Sequence, residues 1–262
     1  MNLDLTGKNA LVGGSTQGLG WATAVELALL GANVTLLARN EASLQTRVAE
    51  LDTTKGQTHG YAVADFSDVE SLRTALAAYQ QRVPVTHILV NNTGGPAGGP
   101  ILDAAPEAFL AAFSAHLICN QLLVQAVVPG MKAAGYGRIV NIISTSVKQP
   151  LPGLGVSNTI RGAVASWAKT LAGELGPHGI TVNSVLPGYT RTARLDAVAS
   201  MRARASGQSQ EEVETAMMAD IPARRFGEAH EFGAAAAFLC TPAAAYINGV
   251  ALAVDGGRTS SL

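Results

Sequence analysis

The sequence predicts an α/β fold: a doubly wound parallel sheet of about seven strands with helices on both faces. Three observations carry that expectation. Short runs of β-branched and other apolar residues alternate with longer stretches of helical periodicity along nearly all 262 residues, the order that a parallel sheet with crossover helices requires. The strand-like runs are apolar throughout, as in Ile139-Val140-Asn141-Ile142-Ile143, which suits strands covered on both faces. A glycine-rich turn joins the first such run to the first helical stretch. No Pro/Gly/Ser-rich linker or charge run divides the chain, so residues 1–262 read as a single domain.

The elements follow in order. Strand Lys8 to Gly13 runs into helix Gly18 to Leu30, which Gly31 stops. Strand Asn33 to Ala38 precedes helix Asn40 to Leu51, and strand Gln57 to Val63 precedes helix Asp68 to Arg82, with Asp68 as its N-cap. Strand His87 to Asn91 leads through a Gly/Pro-rich loop to Pro106, whose ring suits the first turn of a helix reaching Ala133. Strand Arg138 to Ile143 is followed by helix Val156 to Leu175, ended by Gly176, and then by strand Ile180 to Val185. The stretch Thr190 to Ile221 has helical periodicity but weak anchoring, the mark of a mobile lid. Helix Glu228 to Leu239 and strand Val250 to Val254 complete the pattern.

Composition removes several classes of function. A formal charge of −1 with scattered arginines offers no basic field for a nucleic acid. No uninterrupted apolar run approaches the ~18 residues of a membrane span. Two separated cysteines, Cys119 and Cys240, and an N-terminus without signal-peptide character point to the cytoplasm. The five histidines fall in no metal-binding spacing, so no metal is expected. Only 14% of residues are charged and 48% are apolar, which favours a homo-oligomer that buries apolar surface between subunits.

The turn Gly14-Ser15-Thr16-Gln17-Gly18-Leu19-Gly20 lets backbone N–H groups approach phosphate oxygens while the following helix presents its positive end. Glycine turns also serve strand-to-helix packing, but the position between the first strand and the first helix of an alternating chain favours a dinucleotide. After the second strand the chain reads Ala38-Arg39-Asn40, with no acid for a ribose 2′-hydroxyl. A cation there suits a 2′-phosphate, so NADP(H) is preferred to NAD(H), with Arg39 as the contact; a merely solvated arginine is the competing reading.

With GGSTQGLG, the Ala64-Asp65-Phe66 acid, Asn91-Asn92-Thr93-Gly94, Pro187-Gly188-Tyr189-Thr190-Arg191-Thr192 and Val254-Asp255-Gly256-Gly257 in that order, the chain resembles the short-chain dehydrogenase/reductases over its whole length. That resemblance implies a Rossmann-type fold. It implies adenine contact at Asp65, cofactor contacts at Asn91, Thr93 and Gly94, and a hold on the nicotinamide from Pro187, Gly188 and Thr190. It also implies hydride exchange with a small-molecule carbonyl or alcohol substrate, and a homotetramer.

The family's proton chemistry does not carry over so simply. Ser144 matches the serine that polarises the substrate oxygen, but the positions of the proton-donating tyrosine and its lysine read Ser157 and Arg161. Four residues after Tyr61, Tyr79, Tyr136, Tyr189 and Tyr246 come Asp65, Val83, Val140, Ala193 and Val250, so no tyrosine restores the pair. His116 stands where the family has an asparagine. An aliphatic hydroxyl is a far weaker acid than a phenol, and losing a positioned general acid forfeits on the order of 10²- to 10⁴-fold. Arg161 can still bind the cofactor ribose but cannot relay protons. Three substitutes are conceivable: His116 titrating near neutral pH, a water bridging from Ser157, or Lys148 from its loop. A serine triad is disfavoured because Gly13-Gly14-Ser15-Thr16-Gln17 lacks the second glycine of a nucleophile elbow. Two functions remain, an NADP(H)-dependent oxidoreductase with an altered proton relay or a catalytically silent NADP(H)-binding sensor or assembly subunit.

Overall fold

The computed structural model describes residues 1–261. Its strands are β1 (Asn9–Gly13), β2 (Asn33–Ala38), β3 (Gly60–Val63), β4 (Ile88–Asn91), β5 (Gly137–Ile142), β6 (Ile180–Pro187) and β7 (Ala251–Val254). All pair in parallel, in the order β3-β2-β1-β4-β5-β6-β7. The order reverses between β1 and β4, so the carboxyl ends of those two strands open a crevice.

The helices are α1 (Gly18–Leu29), α2 (Glu41–Ala49), α3 (Val69–Arg82), α4 (Pro106–Phe113), α5 (Cys119–Ala134), α6 (Gly155–Leu175), α7 (Ala193–Ser206), α8 (Gln210–Ala219) and α9 (Ala229–Leu239). One face of the sheet is covered by α1, α2 and α9 through Leu27, Leu44 and Phe232. The other is covered by α3, α5 and α6 through Leu72, Leu123 and Ala172. The contact between α1 and α9 is close because it is made of small residues: a Cβ on Gly233 would stand 2.7 Å from the Ala22 carbonyl carbon.

Three departures from the sequence pattern have local causes. The third strand starts at Gly60, not Gln57, because side chains take the ladder's places before it. Asn33 Oδ1 accepts from the Thr58 N–H at 2.8 Å, and the Val34 N–H donates to His59 Nδ1 at 3.1 Å. The long helix from Pro106 is interrupted by one π turn, Ser114–Ile118, the kind of insertion that turns a side chain off the helical register. Here that side chain is His116, 2% exposed. By length and composition the run Pro106–Ala134 is apolar enough to cross a bilayer, and Cys119, Leu123, Val124, Val127 and Met131 spend that apolarity on the core.

The stretch expected to be weakly anchored folds into α7 and α8 around a small core of Leu195, Ala199, Val213, Met217, Ile221 and Phe226. It is therefore a packed unit in itself, joined to the rest at the carboxyl end of β6.

Candidate active site

The glycine turn is shaped by the absence of side chains. Gly14 and Gly18 lie at φ of 55° and 60°, a region where a Cβ is strained. A Cβ on Gly20 would stand 2.5 Å from the Gly14 carbonyl oxygen and 2.6 Å from Asn92 Nδ2. Asn92 clamps the turn, donating from Nδ2 to the carbonyls of Gly13 and Gly14 at 3.2 and 3.1 Å. Ser15 is fully buried and its hydroxyl accepts from the Leu37 N–H at 3.0 Å; it ties the turn to β2 and leaves anion contact to the main chain. The Thr16 carbonyl accepts from Arg47 Nε at 3.0 Å. Gln17 precedes α1 in extended conformation and makes no capping hydrogen bond, so its side chain does not claim the first N–H groups of the helix that starts at Gly18 and Leu19. These features fit a pyrophosphate.

At the end of β2 the Arg39 side chain is 75% exposed, with Nη1 3.9 Å from Asp65 Oδ2. The Ser67 N–H and hydroxyl, at 2.8 and 2.7 Å, hold the Asp65 carboxyl below its ordinary pKa, with Arg39 adding to them and burial opposing. The predicted phosphate-binding cation and the predicted adenine-contacting acid thus share one corner.

The Asn91 side chain is 2% exposed and donates to Asn141 Oδ1 at 2.8 Å between β4 and β5, so its amide is committed to the neighbouring strand. Neighbouring Asn92 does the work at the turn instead. The residue after a strand's last inward side chain points the other way, and the Asn-Asn pair alone does not say which is which. Thr93 is half-buried beyond it, and Gly94 and Gly95 are exposed.

Ser144 stands just past β5, half-buried, with its Oγ accepting from the Ser146 N–H at 3.0 Å. That bond uses a lone pair and leaves the hydroxyl proton for a ligand. Ser157 is half-buried on the first turn of α6, and Arg161 follows one turn later, 9% exposed, with Nη1 donating to the Ile142 carbonyl at 3.0 Å. Burial, aided by the charge of Arg194, pushes Arg161 down to about 10; it stays protonated at neutral pH. Lys148 is half-buried after the short turn Thr145–Val147, its N–H donating to the Thr145 carbonyl at 3.0 Å.

His116 requires a correction. Burial first, then the charge of Arg161, pushes it down to about 3 against an opposing pull from the Gly94 backbone. The imidazole is therefore neutral near pH 7 and does not titrate there. Its Nδ1 is buried without a hydrogen-bond partner.

Pro187 ends β6, and the Gly188 N–H donates to the Val254 carbonyl at 3.0 Å. A Cβ on Gly188 would stand 2.5 Å from Asp255 Cβ, so only glycine lets β6 leave the sheet here. Thr190 is 6% exposed and forms a bridge with Gly227. Thr192, which caps α7, has Cγ2 3.6 Å from where a Cβ on Gly18 would lie, so the start of the α7–α8 unit overhangs the phosphate turn. Farther out, a cavity of about 210 Å³ is lined by Thr145, Gln149, Leu151, Asp220, Arg258 and Thr259. The loop after β5 contributes Gln149 and Leu151 to it, and the tail contributes Arg258 and Thr259. No sequence motif marks Arg258, which stacks on the Tyr189 ring at 4.2 Å and donates to its hydroxyl at 3.1 Å.

Known proteins share this fold. A family model described as Enoyl-(Acyl carrier protein) reductase matches residues 14–259. Gluconate 5-dehydrogenase of Gluconobacter oxydans is 31% identical, over 98% of this chain and 97% of its own length. Short-chain reductase protein NovJ of Streptomyces niveus is 30% identical, over 95% and 93%. The crystal structure of L-sorbose reductase from Gluconobacter frateurii, complexed with NADPH and L-sorbose, superposes with a TM-score of 0.93 at 28% identity and covers 100% of both chains. With the parallel sheet, the glycine turn and matches of this extent, the chain belongs to the short-chain dehydrogenase/reductase family.

Proposed function

We propose that the protein is an NADP(H)-dependent oxidoreductase that moves hydride between nicotinamide and a small carbonyl or alcohol substrate, with Ser144 orienting the reacting oxygen and an altered proton relay. The observation that carries this reading is the turn at Gly14, Gly18 and Gly20, clamped by Asn92 at the point where the strand order reverses. It is supported by relatives that are oxidoreductases by name, including one solved with NADPH. When bound, the cofactor supplies the hydride; the chain supplies position and protons.

In this reading the pyrophosphate lies on the N–H groups from Ser15 to Leu19, with Arg39 at the 2′-phosphate and Asp65 at the adenine. Thr93, Gly94, Pro187, Gly188 and Thr190 line the nicotinamide half, and Arg161 grips its ribose. Ser144 donates its hydroxyl hydrogen to the substrate oxygen. The proton of the product alcohol then comes from water, bridged through Ser157. Neutral His116 can pass a proton only through its ring N–H. The reading extends to one domain over residues 1–262, a lid over 190–221, and a cytoplasmic homo-oligomer, a tetramer by family resemblance.

A second reading, a silent NADP(H) sensor or assembly subunit, is favoured by Ser157 and Arg161 standing where a phenol and a lysine would work. The deciding experiment incubates the protein with NADPH and a panel of ketones, aldehydes and quinones, following the loss of NADPH absorbance together with cofactor binding. Turnover abolished by Ser144→Ala supports the enzyme. Binding with no turnover across the panel supports the silent protein, and absence of binding refutes both.

A further inference from the structure

The charge around Arg161 is one-sided. Arg161 as a whole is 9% exposed, yet among the described residues no carboxylate pairs with it, and its Nη1 donates to the Ile142 carbonyl. A buried cation without a counter-ion is costly and persists where a ligand supplies the charge. A second cation comes to meet it: the Nη2 atoms of Arg161 and Arg194 each lie 3.8 Å from the point where a Cβ on Gly95 would stand. Arg194 rides on α7 and holds its place by donating from Nη2 to the Pro96 carbonyl at 3.0 Å; it too has no carboxylate partner among the described residues. The third polar group beside Arg161 is His116, which brings no negative charge. Gly95 itself is exposed and has no side chain, so it puts no side chain of its own between the two guanidinium groups.

We propose that Arg161 and Arg194 form an oxyanion clamp over Gly95 that holds an acidic group, making the natural substrate an oxo acid or hydroxy acid rather than a neutral ketone. The inference rests on the oxidoreductase reading and adds the substrate class. Ile142, which anchors Arg161, lies two residues before Ser144, roughly 7 Å along an extended chain. That bond ties the clamp to the end of the strand that leads into Ser144. Planar guanidinium forks bind such carboxylates with two parallel hydrogen bonds. The same chemistry would also accept a cofactor phosphate, so the test must separate the two sources.

The test uses the full chain saturated with NADPH and compares 2-, 3- and 4-oxo acids with their methyl esters. The expected result is a preference for at least one acid over its ester of roughly 10- to 100-fold in kcat/KM. Arg194→Gln should abolish the preference while the NADPH Kd moves less than about twofold. Arg161→Lys, which keeps the charge and gives up the fork, should weaken the preference in part; because Arg161 also grips the cofactor ribose in the proposed reading, the preference is compared at saturating NADPH with the variant's own Kd measured. Equal turnover of acid and ester overturns the clamp while leaving the oxidoreductase standing. Loss of NADPH affinity in Arg194→Gln that matches the loss of activity overturns it in favour of a cofactor phosphate. If nothing is turned over, calorimetry of the oxo acids against the NADPH complex decides: binding lost in Arg194→Gln sustains the clamp without the reaction. No binding of any acid at millimolar concentration refutes the clamp.

Discussion

The glycine turn offers the sharpest perturbation, because the space a methyl group would need at Gly20 is taken by backbone. A Cβ there would lie 2.5 Å from the Gly14 oxygen, against an ordinary carbon–oxygen contact of roughly 3.3 Å, so the turn and α1 must separate by about 0.8 Å. The first atom met is a main-chain carbonyl, and the next belongs to an Asn92 amide already committed to two carbonyls. Overpacking of this kind costs about 1–3 kcal/mol. For a chain of this size that lowers Tm by about 2 to 12 °C. The consequence for binding is larger in proportion. A backbone donor moved by most of an ångström loses its hydrogen bond to a charged oxygen, and one such bond corresponds to roughly 10- to 100-fold in NADPH affinity. Gly20→Ala should therefore lower Tm in differential scanning calorimetry and weaken NADPH in a fluorescence titration. Gly7→Ala is the control: Gly7 lies at φ 76° with nothing within 4 Å of its Cβ position, so it should lose stability through backbone strain and keep its cofactor affinity. Wild-type NADPH affinity in Gly20→Ala despite a lowered Tm would refute the assignment of phosphate to this turn.

Three further outcomes are expected. Arg39→Ala should weaken NADPH by roughly 10- to 100-fold and leave NADH unchanged, with little effect on Tm because its pair with Asp65 is exposed; equal losses for both cofactors would remove Arg39 from the 2′-phosphate. Ser157→Tyr combined with Arg161→Lys should raise kcat by up to about 10²- to 10⁴-fold if only the proton donor is deficient, and no gain with NADPH still bound would mean that the substrate pocket is shaped for something else. The Arg225 guanidinium, bonded to Glu231 at 2.6 and 2.7 Å, holds that carboxyl down at about 2 from an ordinary 4.5. The unfolded chain thus binds more protons in that window, and the pair's contribution is present above pH 4.5 and fades as pH falls toward 2. Acid titrations of Tm should show a shallower fall in Arg225→Ala, and parallel curves would exclude the pair.

Local pattern determined most of the architecture. Apolar runs such as Ile139 to Ile143 can bury both faces only in a covered parallel sheet, and the placement of Gly14, Gly18 and Gly20 after the first strand marks the cofactor crevice, because backbone freedom is written in residue type. What required the folded chain is whatever depends on which way a side chain turns and what surrounds it. Asn91 and Asn92 are the same residue in sequence, yet one lies within the sheet and the other clamps the turn. His116 reads as a neutral-pH titrant until the π turn carries it into a buried site beside Arg161. Arg161 and Arg194, 33 positions apart, converge on Gly95 only because the folded chain brings a residue of α6 and one of α7 to the loop after β4. Sequence patterns register local propensity, whereas desolvation and long-range charge come into being only when distant segments pack together.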